Sequence, residues 1–151
     1  MALAFDSNGI VGLELPRGSR ADALRALAHD FPNTALGLAP RTMIRELEEY
    51  AAGKRRVFDL PLNWSRIKPF QRAVLTAIQN IPFGETRSYA WVAHAIGKPR
   101  ASRAVGAALG ANPIPIILPC HRVIGSDGGL HGYGGGLDLK ARLLRLEGAL
   151  Q

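Results

Sequence analysis

At 151 residues, 47% apolar and 21% charged, the chain has ordinary globular composition and enough length for one domain, or two small lobes, around a buried core. Its net charge of +7, from 19 Lys+Arg against 12 Asp+Glu, favours an acidic partner and puts nucleic acid first. One cysteine excludes an internal disulfide and fits a reducing compartment; four scattered histidines without a second cysteine argue against a metal site; and no stretch reads as a leader or a membrane span.

In chain order, residues 2–6 and 10–15 read as short strands joined by the turn Ser7-Asn8-Gly9. Residues 19–30 read as a helix with Leu24, Leu27 and Ala28 on one face. Residues 41–52 read as another helix, closed by Gly53, and residues 57–60 as a third strand before a proline-punctuated linker to Lys68. This third of the chain carries no chemical constellation and is expected to be a small α/β supporting lobe, residues 1–65. The remainder, residues 66–151, is expected to be a mostly helical lobe, so the whole is α+β.

Pro69 suits the first turn of a helix reaching about residue 80, with Phe70, Ala73, Val74, Ala77 and Ile78 as its apolar face. Ser88 is a good N-cap for a helix over residues 89–96, closed by Gly97. Lys98-Pro99 then opens a further helix to about residue 109, so the pair makes a helix-turn-helix candidate. That second helix is small-residued throughout, with Arg103 near its start. Small side chains suit either close approach to a groove or tight packing, with Arg103 then a surface charge.

A proline-bounded apolar run leads to Pro119-Cys120-His121-Arg122-Val123. A thiol with a reference pKa of about 8.5 needs a base or a positive field to act as a nucleophile at neutral pH, and His121 and Arg122 are adjacent. The plainer reading of a lone cysteine is a small buried hydrophobe. Next comes the glycine-rich loop His131-Gly132-Tyr133-Gly134-Gly135-Gly136, which lacks the Lys-Ser/Thr ending of a phosphate-binding loop. Asp138 can cap a last helix over residues 139–147, with Leu143, Leu144 and Leu146 inward. Glu147 then lies at the end where the helix dipole disfavours a carboxylate, so it is either solvated or held by a partner.

Ser88-Tyr89, Arg103-Ala104-Val105-Gly106, Asn112-Pro113, Pro119-Cys120-His121-Arg122-Val123, Gly132-Tyr133 and Glu147 follow one another in a familiar order and spacing. The chain resembles the 6-O-alkylguanine-DNA alkyltransferases, or methylated-DNA–protein-cysteine methyltransferases, specifically over residues 69–148 and loosely before that. It departs at Gly134, where some members carry serine or arginine, and it lacks the two metal-binding cysteines of some longer members, so no zinc and no cofactor are implied.

The resemblance implies DNA repair by stoichiometric alkyl transfer from 6-O-alkylguanine, with 4-O-alkylthymine as a second candidate substrate, to Cys120. In that reading His121, oriented by Glu147, takes the thiol proton through a water. Tyr89 bonds the flipped base and Asn112 braces the turn before the active-site segment. Arg103 fills the vacated stack, with Ser102, Ala104, Gly106 and Arg122 on the DNA side, while Tyr133, Gly134, Gly135, Val123, Pro115 and Leu109 form the pocket. The expected partner is double-stranded DNA containing alkylated guanine, and the expected state is a cytoplasmic monomer away from membranes. Two other readings use some of the same residues: a Cys–His–Glu hydrolase, which leaves Arg103 and the charge unexplained, and a silent module that binds alkylated DNA, which has no need of the cysteine.

Overall fold

The structure is a computed structural model that describes residues 2–15, 19–32 and 40–151. Its architecture is α+β, with six α-helices and two two-stranded sheets among the described residues. The chain divides into two compact units, Met1–Arg66 with Pro113–Pro115, and Ile67–Asn112 with Ile116–Gln151. The short segment Pro113–Pro115 thus joins the first unit although it lies within the second stretch of sequence.

In the first unit, β1 (Ala2–Asp6) and β2 (Gly9–Glu14) pair antiparallel, with Ala2 opposite Glu14 and Asp6 opposite Gly9. The turn is set by Asp6, whose carboxylate accepts the Asn8 N–H at 2.8 Å. Gly9 has φ 127°, and any side chain there would run into the Pro61 backbone, which explains glycine at that position. Helix α1 (Arg20–Asp30) starts from a capping box between Ser19 and Asp22. That start fixes its rotation so that Ala23 and Leu27 pack with Ala2, Ala4 and Val11. The expected face is corrected accordingly: Leu24 is 37% exposed and Ala28 is exposed.

Helix α2 (Arg41–Ala51) buries Met43, Leu47 and Tyr50 at helical spacing and ends before Gly53, φ 70°. Residues 57–60 are not a strand. Val57 is 75% exposed, and the segment is anchored by a side chain instead, the Glu46 carboxylate accepting the Asp59 N–H at 2.9 Å. Pairing comes later, at a parallel bridge between Ile10 and Leu62, where the Ile10 N–H donates to Pro61 O and the Asn63 N–H donates to Ile10 O.

The second unit opens with α3 (Pro69–Gln79), which buries Val74, Leu75 and Ile78 and leaves Ala73 exposed. Ser88 caps α4 (Tyr89–Ala95), its hydroxyl accepting the Trp91 N–H at 3.1 Å. Gly97, at φ 70°, closes the turn. Helix α5 (Ser102–Gly110) begins four residues later than Lys98; Lys98 to Ala101 form a turn in which the Ala101 N–H bonds Lys98 O. Gln71 of α3 ties down the far end of α5, donating to Ala108 O and Ala111 O.

The strand β3 (Arg87–Ser88) pairs in parallel with β4 (Val123–Ile124). This short ladder sets the start of α4 beside the segment that carries Cys120. The last helix, α6 (Leu137–Leu146), starts at Gly136, φ 87°, so Asp138 lies in its first turn and is not its cap. Its buried stripe is Lys140, Leu143, Leu144 and then Glu147, while Leu146 is 36% exposed and points outward. No helix of the described residues is long and apolar enough to cross a membrane.

Candidate active site

Ile116, with φ 73°, is the one described residue other than glycine with a positive φ, an unfavourable state for a β-branched side chain, and it turns the chain toward the active-site segment. Cys120, His121 and Arg122 then form a single 3-10 turn, and all three are buried. The Cys120 Sγ receives a hydrogen bond from Asn112 Nδ2 at 3.1 Å, and the same amide donates to Leu118 O at 2.9 Å. Asn112 follows directly on α5, so one side chain couples the end of that helix to the nucleophile. Burial pushes the Cys120 thiol up; the Asn112 bond, the Lys140 charge and the amides of Cys120 and His121 work against that shift.

His121 is fully buried, and its Nε2 lies 2.8 Å from Glu147 Oε1. Arg122 grips the same carboxylate with two donors, Nε to Oε2 at 2.8 Å and Nη2 to Oε1 at 3.0 Å, and its Nη1 donates to Ile81 O at 2.7 Å. The Gly84 N–H adds a longer bond to Oε2 at 3.3 Å. Burial holds the imidazole below its ordinary range, with Glu147 pulling it upward and the Arg122 and Lys140 charges downward. The residue at the disfavoured end of α6 is therefore a partnered, buried carboxylate and not a solvated terminus.

A cleft of about 630 Å³ opens between α4, α5 and the glycine-rich loop, lined by Tyr89, Ser102, Arg103, Gly106, Gly110 and residues 131–134. Arg103 is exposed at its edge. The Tyr89 hydroxyl donates to His131 O at 3.1 Å. Burial, and then the Cys120 charge, raise the tyrosine's pKa, so the wall of the cleft and the nucleophile sense one another. Three features thus meet in one unit: a thiol positioned by an amide, an imidazole–carboxylate pair behind it, and a basic, small-residued helix at the mouth of a cleft.

The family model for the 6-O-methylguanine DNA methyltransferase DNA-binding domain matches residues 69–149. The chain belongs to this family. A methylated-DNA–protein-cysteine methyltransferase of Methanosarcina barkeri is 56% identical over 107 residues, covering 71% of this chain and 67% of that protein. The solved structure of the Mycobacterium tuberculosis O6-methylguanine methyltransferase superimposes with a TM-score of 0.76 at 41% identity, over 94% of this chain and 82% of that one. The M. tuberculosis OGT structure in complex with DNA superimposes with a TM-score of 0.69 at 51% identity, over 71% of this chain and 65% of that one.

Of the residues that the methyltransferase resemblance singles out, the fold makes two hydrogen-bonded pairs, Asn112 with Cys120 and His121 with Glu147, joined through the consecutive residues Cys120 and His121. Tyr89, Ser102, Arg103, Gly106, Tyr133 and Gly134 line the cleft, and Ala104 is exposed on the same helix. Arg122 is corrected: all three donor nitrogens point inward and the residue is 6% exposed, so its side chain presents no charge to a nucleic acid. Leu109 and Val123 are core residues, 6% and 0% exposed, rather than cleft lining, and Gly135 lies outside the lining too. Pro115 is buried and groups with the first unit.

One site residue escapes the sequence reading. Lys140 is fully buried, and its Nζ donates to Val123 O at 2.7 Å and His131 O at 2.8 Å, lying 6.0 Å from the centre of the Tyr89 ring. Burial lowers its pKa to about 8, with the Cys120 charge acting in the opposite sense. The signal was present: positions 140, 143, 144 and 147 follow the i, i+3, i+4, i+7 stripe, which puts Lys140 on the same inner face as Leu143 and Leu144.

Proposed function

We propose that this chain repairs double-stranded DNA by direct, stoichiometric transfer of the alkyl group of 6-O-alkylguanine to Cys120, acting as a cytoplasmic monomer. The observation that carries this reading is the arrangement at Cys120, a single buried thiol held by Asn112 with the His121–Glu147 pair behind it. A base inside a duplex cannot reach a buried sulfur, so the damaged nucleotide must leave the stack and enter the cleft. Exposed Arg103 stands at the cleft edge to fill the gap, and the small residues of α5 allow the close approach that a minor groove demands.

Glu147 accepts the Nε2–H of His121, which leaves Nδ1 as the nitrogen that takes the thiol proton through a water. The sulfur attacks the alkyl carbon in line, the S–C bond forms, the C–O6 bond breaks, and its electron pair stays on guanine. The proton lent to His121 returns to the guanine anion, so the relay ends neutral. Tyr89 turns its hydroxyl from His131 O to the base, Tyr133 walls the pocket, and the Gly134 N–H faces the alkylated oxygen. The resulting thioether has no simple leaving path, so each chain reacts once.

The deciding measurement is intact mass after incubation with DNA containing 6-O-methylguanine. One methyl per chain is expected, mapped to Cys120, and Cys120→Ala should bind the DNA yet gain no mass. Methylation elsewhere, or turnover past one equivalent, overturns the reading.

A further inference from the structure

Four donors converge on the buried Glu147 carboxylate: one from His121, two from Arg122 and one from the Gly84 amide. That is the environment of an ionised carboxylate, because each donor stabilises the charged form. The guanidinium cannot lose its proton, so it supplies a permanent unit of positive charge to the pair. The trio of Arg122, Glu147 and neutral His121 is thus charge-balanced. Adding a proton to His121 would leave a net positive charge in a place closed to water. Arg122 has no role in the proton relay described above, and its burial removes it from the DNA surface.

We propose that Arg122 is a positioning residue of the alkyl-transfer relay: its two-pronged hold on Glu147 keeps the carboxylate charged, aims one oxygen at His121 Nε2–H, and leaves the imidazole neutral with Nδ1 as its base nitrogen. The inference deepens the function proposed above and rests on it. Geometry supports it beyond the charge count. The Ile81 carbonyl fixes the third nitrogen at 2.7 Å, and the Phe83 ring lies 5.8 Å from the guanidinium carbon, so the fork has little freedom to turn away. The other ionisable groups around His121 are Glu147, Cys120, Lys140 and Tyr133, whose ring meets the imidazole edge-on at 6.5 Å, and among them only Glu147 favours the imidazolium at rest, when the thiol and the phenol carry no charge. Without Arg122, the carboxylate charge is unbalanced and the cheapest remedy is a proton on His121, which then can no longer accept one from the thiol.

The test is imidazole nitrogen NMR on the whole chain together with single-turnover kinetics. In the wild type, His121 should be neutral and carry its proton on Nε2 at neutral pH. Arg122→Met should raise the midpoint of the His121 titration by about one pH unit or more and slow methyl transfer about tenfold. DNA affinity should stay within about twofold. Arg122→Lys, which restores the charge without the fork, should return the titration close to wild type and recover part of the rate. A wild-type His121 that is imidazolium at neutral pH, or that carries its proton on Nδ1, overturns the proposal whether or not the variants fold. So does an Arg122→Met protein with weakened DNA binding and an unchanged rate on free 6-O-benzylguanine, or one with a lower melting temperature and an unchanged titration. Methyl uptake by the wild type, measured on the same preparation, tests the functional reading separately.

Discussion

Lys140 shows how much one buried side chain can set. Among the described residues no carboxylate lies within ion-pair distance of its ammonium, which two backbone carbonyls hold in place. A charge in that position is expensive unless something balances it. Arg122 and Glu147 cancel each other, and Cys120 as thiolate is a group near Lys140 that can supply the negative charge. The lysine therefore favours the reactive form of the nucleophile while burial opposes it. Lys140→Met keeps the length and removes the charge. The Cys120 thiolate, followed by its ultraviolet absorbance, should then appear at higher pH than in the wild type, and methyl transfer at neutral pH should slow about tenfold, or ~1.4 kcal/mol. An unchanged thiol titration would mean that Lys140 only ties the loop to β4.

At the scale of elements, helix starts and stops were legible where one residue decides them. Pro69, Ser88, Gly53 and Gly97 each mark the boundary the sequence suggests, through a fixed φ, a hydroxyl cap or a positive φ. Boundaries set by tertiary contacts were not legible. Residues 57–60 look like a strand, yet they form an irregular connection tied down by Glu46, thirteen residues from Asp59. The turn from Lys98 to Ala101 looks like the first turn of a helix because Pro99 suits either. In the active site the nucleophile and cleft residues stood out, while the inward turn of Arg122 depended on Glu147, 25 residues away. The late start of α5 has a functional consequence: Arg103 is the second residue of the helix, exposed at the cleft edge rather than mid-helix. If it fills the stack behind a flipped base, Arg103→Ala should slow repair of duplex DNA about 100-fold, on the order of the few kcal/mol that unstacking costs. Reaction with free 6-O-benzylguanine, which needs no flipping, should change little. Equal losses on both substrates would make Arg103 a support of the fold.

Across the whole molecule, the ionisable groups divide into two sets that respond to acid in separate windows. Asp22 and Asp127 are exposed carboxylates held below their ordinary range, Asp22 chiefly by the Ser19 side chain and Asp127 chiefly by the Gly129 amide. A depressed carboxylate contributes stability above its unfolded value of 3.8, and that contribution is lost only as pH falls below it. His121 acts earlier. Its folded pKa lies below the unfolded 6.5, chiefly through burial, so on acidification the unfolded chain takes up the proton first. Stability from this group is complete above 6.5 and declines as pH falls below it, with a slope of at most about 1.4 kcal/mol per pH unit for one proton. The decline that His121 contributes falls between roughly pH 6.5 and 4. Urea unfolding across that interval should show the decline in the wild type and a flatter profile in His121→Gln, which keeps a hydrogen-bonding amide for Glu147 but cannot titrate. The two proteins should converge in slope below about pH 4, where the carboxylates take over. Parallel profiles through the upper window would mean that the buried imidazole is protonated in the folded state as readily as in the unfolded one, and the neutral resting relay would have to be abandoned.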